Sequence, residues 1–267
     1  MKNIICPIDF SDASKHAVNY AVHLTNHFKG TIHLVHAYMT KKTASMLINM
    51  DEAVKEGLDT DMGFLMDQIR PDILPGTQVK TYLQKGSAVS VITHMAEQME
   101  DSLIVLGKTG LSNLKTNLFG SVSTAVIRKS SVPVLAIPRE AKLRIPRRVV
   151  LALDQNPTKE DDSLNALIHL LNEWGAQLHL YHLIESEEDP GIHPRTSKQL
   201  ENVPYSLHFE LSQKDLSDSL HSYLESIQAD VLCMIRHQKT FFEKLFHASH
   251  IRKERSNVDY PLLVIPD

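Results

Sequence analysis

The chain has 267 residues, at the roughly 250–300 where single cores stop growing, so one large or two medium domains are expected. With 42% hydrophobic and 22% charged residues, 10 glycines and 12 prolines, it is neither disordered nor fibrous. A net charge of −4 gives no footprint for nucleic acid or an anionic membrane, and the two cysteines, Cys6 and Cys233, sit in apolar runs as buried thiols rather than a disulfide framework.

No stretch approaches the ~18 uninterrupted apolar residues of a membrane span. Pro7 and Asp9 interrupt the N-terminal apolar run before any signal-peptide core could form. The expectation is a cytoplasmic protein whose first residues are already a strand. Ile4 to Ile8 is that strand, ending in Asp9. Residues 11 to 28 carry Ala13, Ala17, Tyr20, Ala21 and Leu24 at helical spacing, with Ser11 as N-cap and Gly30 as the stop. A strand follows over Thr31 to Tyr38, then a long segment from Lys41 to Ile69 that Pro71 and Pro75 terminate. Gln78 to Leu83 alternates as a strand, and Ser87 to Met99 is helical. Leu103 to Leu106 is the continuous apolar run of a strand covered on both faces. Residues 121 to 129 read as a helix and Pro133 to Ile137 as a strand. Strands alternating with helices predict βαβ units and a mostly parallel sheet.

The order then repeats: strand 148 to 153 ending at Asp154, helix 158 to 174, strand 177 to 184, strand 203 to 211, helix 214 to 227, strand 231 to 235 and strand 261 to 265. Asp9 maps to Asp154 at an offset of 145, the His33–His36 run to His179–His182 at 146, and the Pro133–Pro138 run to Pro261–Pro266 at 128. The fall from 146 to 128 implies 18 residues lost after the second strand, removing most of the long helix. The expected fold is α/β: two tandem domains, 1–140 and 145–267, each a five-stranded mostly parallel sheet flanked by helices, joined by a basic, proline-bounded linker.

In such sheets ligands bind beyond the carboxyl ends of the strands, where the strand order reverses. The loop after Leu106 reads Gly107-Lys108-Thr109-Gly110, nine residues, then Gly120-Ser121 opening a helix. Glycines admit an anion close to backbone N–H groups, and the helix start adds free donors and the positive end of its dipole. A P-loop would need glycine at Ser102, and a dinucleotide fingerprint would need glycines after the first strand; neither is present.

The Gly-x-x-Gly, nine-residue gap and Gly-Ser pattern resembles the nucleotide-binding signature of the universal stress protein family. Pro7-Ile8-Asp9-Phe10-Ser11 is similar to its first strand and turn, His36-Ala37 to its second-strand end, and Val132-Pro133-Val134 to its closing strand. Both halves match the layout, so the chain resembles a tandem member. The resemblance implies ATP or another adenine nucleotide in the first half, with or without Mg. It places Asp9 on the ribose or base edge, Pro7 and Ala37 against the base, and Leu106 and Gly107 on the floor. Thr109, Gly110, Gly120, Ser121 and Val122 would hold the phosphates. It further implies a stress-response or regulatory role exercised through a protein partner not named by the sequence. Pairing of the last strands of the two halves would make the monomer a pseudo-dimer, with a further homodimer left open. A slow ATP hydrolase or phosphoryl-transfer enzyme using the same site, and a nucleotide-free scaffold, are the alternatives.

The second half departs from the pattern: Gly107 becomes Ile235, Gly110 becomes Gln238, and Gly120-Ser121 becomes Ala248-Ser249. Each replaced glycine puts a side chain where a phosphate would approach, so no nucleotide is expected there. Several residues have plainer readings. Asp9 could only cap the following helix, Lys108 is read as solvated, and the Phe241-Phe242-Leu245-Phe246 cluster as packing on its own sheet. The histidine pairs His33/His36 and His179/His182 alternate across their strands and cannot chelate one ion. No nucleophile elbow, zinc-binding helix or Cys-x-x-Cys motif appears, so the chain reads as a binding protein with at most weak ATPase activity.

Overall fold

In the computed structural model, residues 1–39, 50–108, 120–154, 156–184, 191–211, 216–236 and 260–267 are described. The apolar runs of the first half become β1 (Asn3–Pro7), β2 (Thr31–Tyr38), β3 (Gln78–Lys85), β4 (Ser102–Lys108) and β5 (Val134–Pro138). Between them lie α1 (Asp12–Phe28), α2 (Met50–Ile69), α3 (Ala88–Glu97) and α4 (Ser121–Lys129). The second half follows with β6 (Arg148–Leu153), α5 (Asn165–Trp174), β7 (Gln177–Ile184), α6 (Pro194–Gln199), β8 (Tyr205–Leu211), α7 (Leu216–Ser226), β9 (Val231–Ile235) and β10 (Leu262–Ile265).

All ten strands form one sheet in the order β3-β2-β1-β4-β5-β10-β9-β6-β7-β8. Every neighbouring pair is parallel except β5 with β10, which is antiparallel. Because side chains alternate across a strand, the sheet has two buried faces. One, carrying Ile4, Cys6, Leu135 and Leu263, packs against α1, α2 and α5. The other, carrying Ile5, Ile104, Val134 and Val264, packs against α3, α4 and α7. Each face forms a single apolar cluster holding residues from both halves.

The ladders carry the duplication residue by residue. Pro7 pairs with Val35 and Ala152 with Tyr181, giving the offsets of 145 and 146. Ile5 pairs with Ile104 and Val150 with Leu232, giving 128. The crossover before the edge strand is more strongly shortened than the sequence implies. Ile32 pairs with Val79 and Leu178 with Tyr205, so the offset falls to 126 there and two residues are regained before β9. At the centre Leu135 faces its own equivalent, Leu263, while Val134 faces Val264 and Ala136 faces Leu262. This is the register of a two-fold axis passing between the two leucines.

Two local expectations are corrected. The stop of α1 is Lys29, in the left-handed region at φ 54°, and not Gly30. Gly30 is needed for a different reason: a Cβ there would lie 2.6 Å from the Lys2 carbonyl oxygen. The helix expected from 158 begins only at Asn165. Turn residues precede it, and their amides are satisfied from far away in the chain. The Asp267 carboxylate accepts from the Lys159 N–H at 3.0 Å and from the Ser163 hydroxyl, and the Gln199 side-chain oxygen accepts from the Leu164 N–H at 2.9 Å. The linker is held by Asp230, which pairs with Arg144 at 2.5 Å and accepts from the N–H groups of Arg147 and Arg148 at 2.7 and 2.8 Å. The Phe241–Phe246 cluster and Gln238, Ala248 and Ser249 lie outside the described residues. No helix among those described is long and apolar enough to cross a membrane.

Candidate functional site

The strand order reverses between β1 and β4 in the first half, and a cavity of about 270 Å³ opens at their carboxyl ends. Its apolar wall comes from Val35, Ala37, Ile92, Leu106 and Val126, and its polar atoms from the turn after β1 and the start of α4. Of the ten residues singled out in the sequence, Pro7, Asp9, Ala37, Leu106, Gly107, Gly120, Ser121 and Val122 all line it. They come from four separate segments that only the parallel sheet brings together. Thr109 and Gly110 lie outside the described residues.

The turn after β1 is built around Asp9. Its Oδ1 accepts from the Ser11 N–H at 3.0 Å and from the Ser11 hydroxyl at 2.6 Å. Ser11 Oγ in turn accepts from the Ser14 N–H at 3.2 Å, which makes Ser11 the N-cap of α1. Asp9 therefore orients the cap rather than being it. Partial burial alone would raise the Asp9 carboxyl, but the hydrogen bonds from Ser11 and Ser14 outweigh it and the net direction is down. Asp9 is thus a carboxylate near neutrality. Phe10, between Asp9 and Ser11, has left-handed backbone at φ 61°, unusual for a bulky residue. Its ring lies 5.0 Å from that of His36. His36 Nδ1 donates to the Ile8 carbonyl at 2.7 Å, tying the end of β2 to the turn.

Across the cavity, Gly120 is the N-cap of α4 and offers no side-chain cap, and the first turn carries no acidic residue. The leading N–H groups of α4 have no partner within the helix, while Arg128 and Lys129 occupy its last turn. That arrangement leaves an unneutralised positive dipole end at the cavity. Ser123 donates to the Gly107 carbonyl at 3.3 Å, fixing α4 to β4. Gly107 serves packing as well as access: a Cβ there would lie 2.5 Å from the Ala13 carbonyl oxygen, in the first turn of α1. Lys108, expected to be solvated, is buried within β4.

Sequence reasoning missed Val35, Ser11, Ala88, Ile92 and Val126 as cavity residues. Ser11 is marked only as a cap, the periodicity of the others marks them only as core, and nothing distinguishes core that faces a void from core that faces a neighbour. The second half differs at these positions. The equivalent of Val35 is Tyr181, fully buried, with its ring 5.4 Å from those of both His208 and Tyr223. The equivalent of Gly107 is Ile235, also fully buried. Asp154 keeps the turn, its Oδ1 accepting from the Asn156 N–H at 2.9 Å and side-chain amide at 3.0 Å.

Comparison with known proteins follows the same halves. A model of the universal stress protein family matches residues 1–138. Universal stress protein G of Salmonella typhimurium is 26% identical over 144 residues, spanning 51% of this chain and 98% of its own. Universal stress protein YxiE of Bacillus subtilis is 29% identical over 147 residues, spanning 50% of this chain and 97% of its own. Over the whole chain, the crystal structure of a universal stress protein from Archaeoglobus fulgidus superposes with a TM-score of 0.70 at 19% identity, covering 99% of this chain and 98% of that one. A Pseudomonas aeruginosa protein of unknown function does so at 0.60 and 15% identity, covering 100% and 92%. The full-length likenesses show that the ten-stranded arrangement is a shared fold. With more than half its length matched by the family model and the signature residues gathered at one cavity, the chain belongs to the universal stress protein family.

Proposed function

We propose that the first half binds an adenine nucleotide and that occupancy governs which protein partner the molecule engages in a cytoplasmic stress response. The observation that carries this reading is the cavity at the strand-order reversal, lined by the signature residues and facing an α4 N-terminus with no acidic or capping side chain. The apolar wall suits a purine and its ribose. Asp9, with one oxygen committed to Ser11, keeps an acceptor for a ribose hydroxyl or the exocyclic amine. Phosphates would lie toward Gly120 and Ser121, where N–H donors and the helix dipole favour negative charge. Asp9 is the one carboxylate among the described lining residues, so a magnesium ion would be held chiefly by the phosphates themselves.

The second half is proposed to carry no nucleotide and to act as the structural partner in a pseudo-dimer. Tyr181 supports this, since its ring stands where the smaller Val35 leaves the cavity open. The test is to denature protein purified without added nucleotide, identify what is released, and measure thermal shifts with ATP, ADP and AMP. The expected result is about one adenine nucleotide per chain, with release and shift both lost in Gly120→Val. An empty protein that no nucleotide stabilises would refute the reading. Turnover of ATP abolished by the same substitution would move the site to a hydrolase.

A further inference from the structure

The two ends of the sheet are unlike. In the first half, α2 covers the face of edge strand β3: Val79 and Leu83 pack into the cluster that holds Met62, Leu65 and Ile69. Lys80 and Lys85 put charge along that edge, a usual protection against unwanted strand pairing. Among the described residues, the shortened crossover of the second half carries only the short α6 in place of α2. Its residues equivalent to Val79, Thr81 and Leu83 are Tyr205, Leu207 and Phe209, which are 39%, 41% and 48% exposed on the same face. The short α6 reaches only the beginning of β8, leaving a shallow groove beside Tyr205. Residues 205 to 211 contain no lysine, arginine or proline, and their pairing with β7 runs seven residues without a bulge. Among the described residues, nothing pairs with the outer edge of β8.

From this strand we infer that a second copy of the chain docks on β8, the two β8 strands pairing antiparallel about a two-fold axis at His208. The sequence of the strand selects this occupant because it is complementary to itself. His208 is the midpoint of Tyr205–Leu211, so a register centred there uses all seven residues of each copy. Leu207 then faces Phe209 of the other copy and Tyr205 faces Leu211, all on the uncovered face. On the opposite face Glu210 meets Ser206, so no carboxylates are opposed, and His208 meets its own counterpart with Glu210 of its own strand 3.4 Å away. Apolar and β-favouring pairs directly across a ladder stabilise it, and an isologous contact closes at two copies instead of propagating. An extended segment of some other protein would need no such symmetry.

The test uses the full chain in sedimentation equilibrium across a concentration series, with three variants. The unaltered chain is expected to dimerise. Leu207→Lys should weaken dimerisation by roughly tenfold or more, since it sets a charge against each Phe209 at the joint. Thr81→Lys, the matching change on β3, should leave dimerisation unchanged. His208→Cys should give a disulfide-linked dimer under mild oxidation, because residues paired across an antiparallel ladder lie within disulfide reach. Cys6 and Cys233 are fully buried and would not contribute. A chain that stays monomeric at its highest soluble concentration overturns the inference. So does a dimer that Leu207→Lys does not weaken and His208→Cys does not link.

Discussion

Gly107 shows how one residue can serve a site and a fold together. The missing side chain lets α1 begin close against β4, with the Ala13 carbonyl oxygen 2.5 Å from where a Cβ would stand. Backbone cannot retreat as a side-chain tip can. Gly107→Ala is therefore expected to cost about 1–3 kcal/mol of stability by overpacking, read as a lower urea midpoint, whether or not nucleotide is present. Loss of nucleotide binding with unchanged stability would show that Gly107 acts at the site alone. The glycine was legible in the sequence from its spacing to Gly110, Gly120 and Ser121. The α1 contact was not, because it joins residues about ninety positions apart and leaves no local trace. Asp9 was half legible: its place at the end of a strand marks it, but only the bonds from Ser11 show that it orients the cap rather than forming it.

Among the elements, the strands were the most readable, since a strand buried on both faces needs a continuous apolar run, as in Leu103–Leu106 of β4, Val149–Leu153 of β6 and the whole of β5 and β9. Helix starts were less so. α5 begins at Asn165 because Asp267 and Gln199 satisfy the preceding amides, and α6 is too short to show a period. The equivalent strands β2 and β7 share a further property. Burial, followed by a nearby cation, Lys80 for His33 and Arg148 for His179, pulls both imidazoles below their ordinary range. His33 Nε2 donates to Asn3 Oδ1 at 3.0 Å and Nδ1 accepts from the Tyr82 hydroxyl at 3.2 Å, which is the neutral form. The unfolded chain thus binds more protons than the folded one between the folded pKa and the unfolded value near 6.5. The stability these groups contribute is fully present above that value and falls as the pH drops through the window. Urea denaturation between about pH 5 and 8 should show this slope, and it should flatten in a His33→Gln, His179→Gln double variant. An unchanged slope would assign it to other groups.

At the scale of the whole molecule, the two apolar clusters run through both halves, and α1 touches the second half directly: His27 Nε2 donates to the Glu173 carbonyl at 3.0 Å. Local unfolding of one half would tear a core that the other half completes. Calorimetry is expected to show one cooperative transition, with ligand at a hundred times its Kd stabilising the entire chain by about 2.7 kcal/mol. Two resolved transitions, only one of them moved by nucleotide, would mean that the halves fold as separate units. That the halves repeat one plan was legible from three sequence anchors. Their fusion into one sheet could only be expected from the resemblance, because pairing between the final strands depends on geometry that no local pattern encodes.

The joint between β5 and β10 sets Leu135 against Leu263, its own counterpart, and residues 139–147 connect the two sides covalently. For two free modules, such a joint would form or dissolve with dilution. Tethered by a short linker, each side experiences the other at a local concentration on the order of millimolar whatever the amount of protein present. Assembly at this joint is thereby removed as a variable, and every molecule carries the open cavity of the first half beside a second half with Tyr181 in the place of Val35. Divergence of the second half, including the shortening of its second crossover, could then proceed without loss of the neighbour it supports, because that neighbour is never shed on dilution.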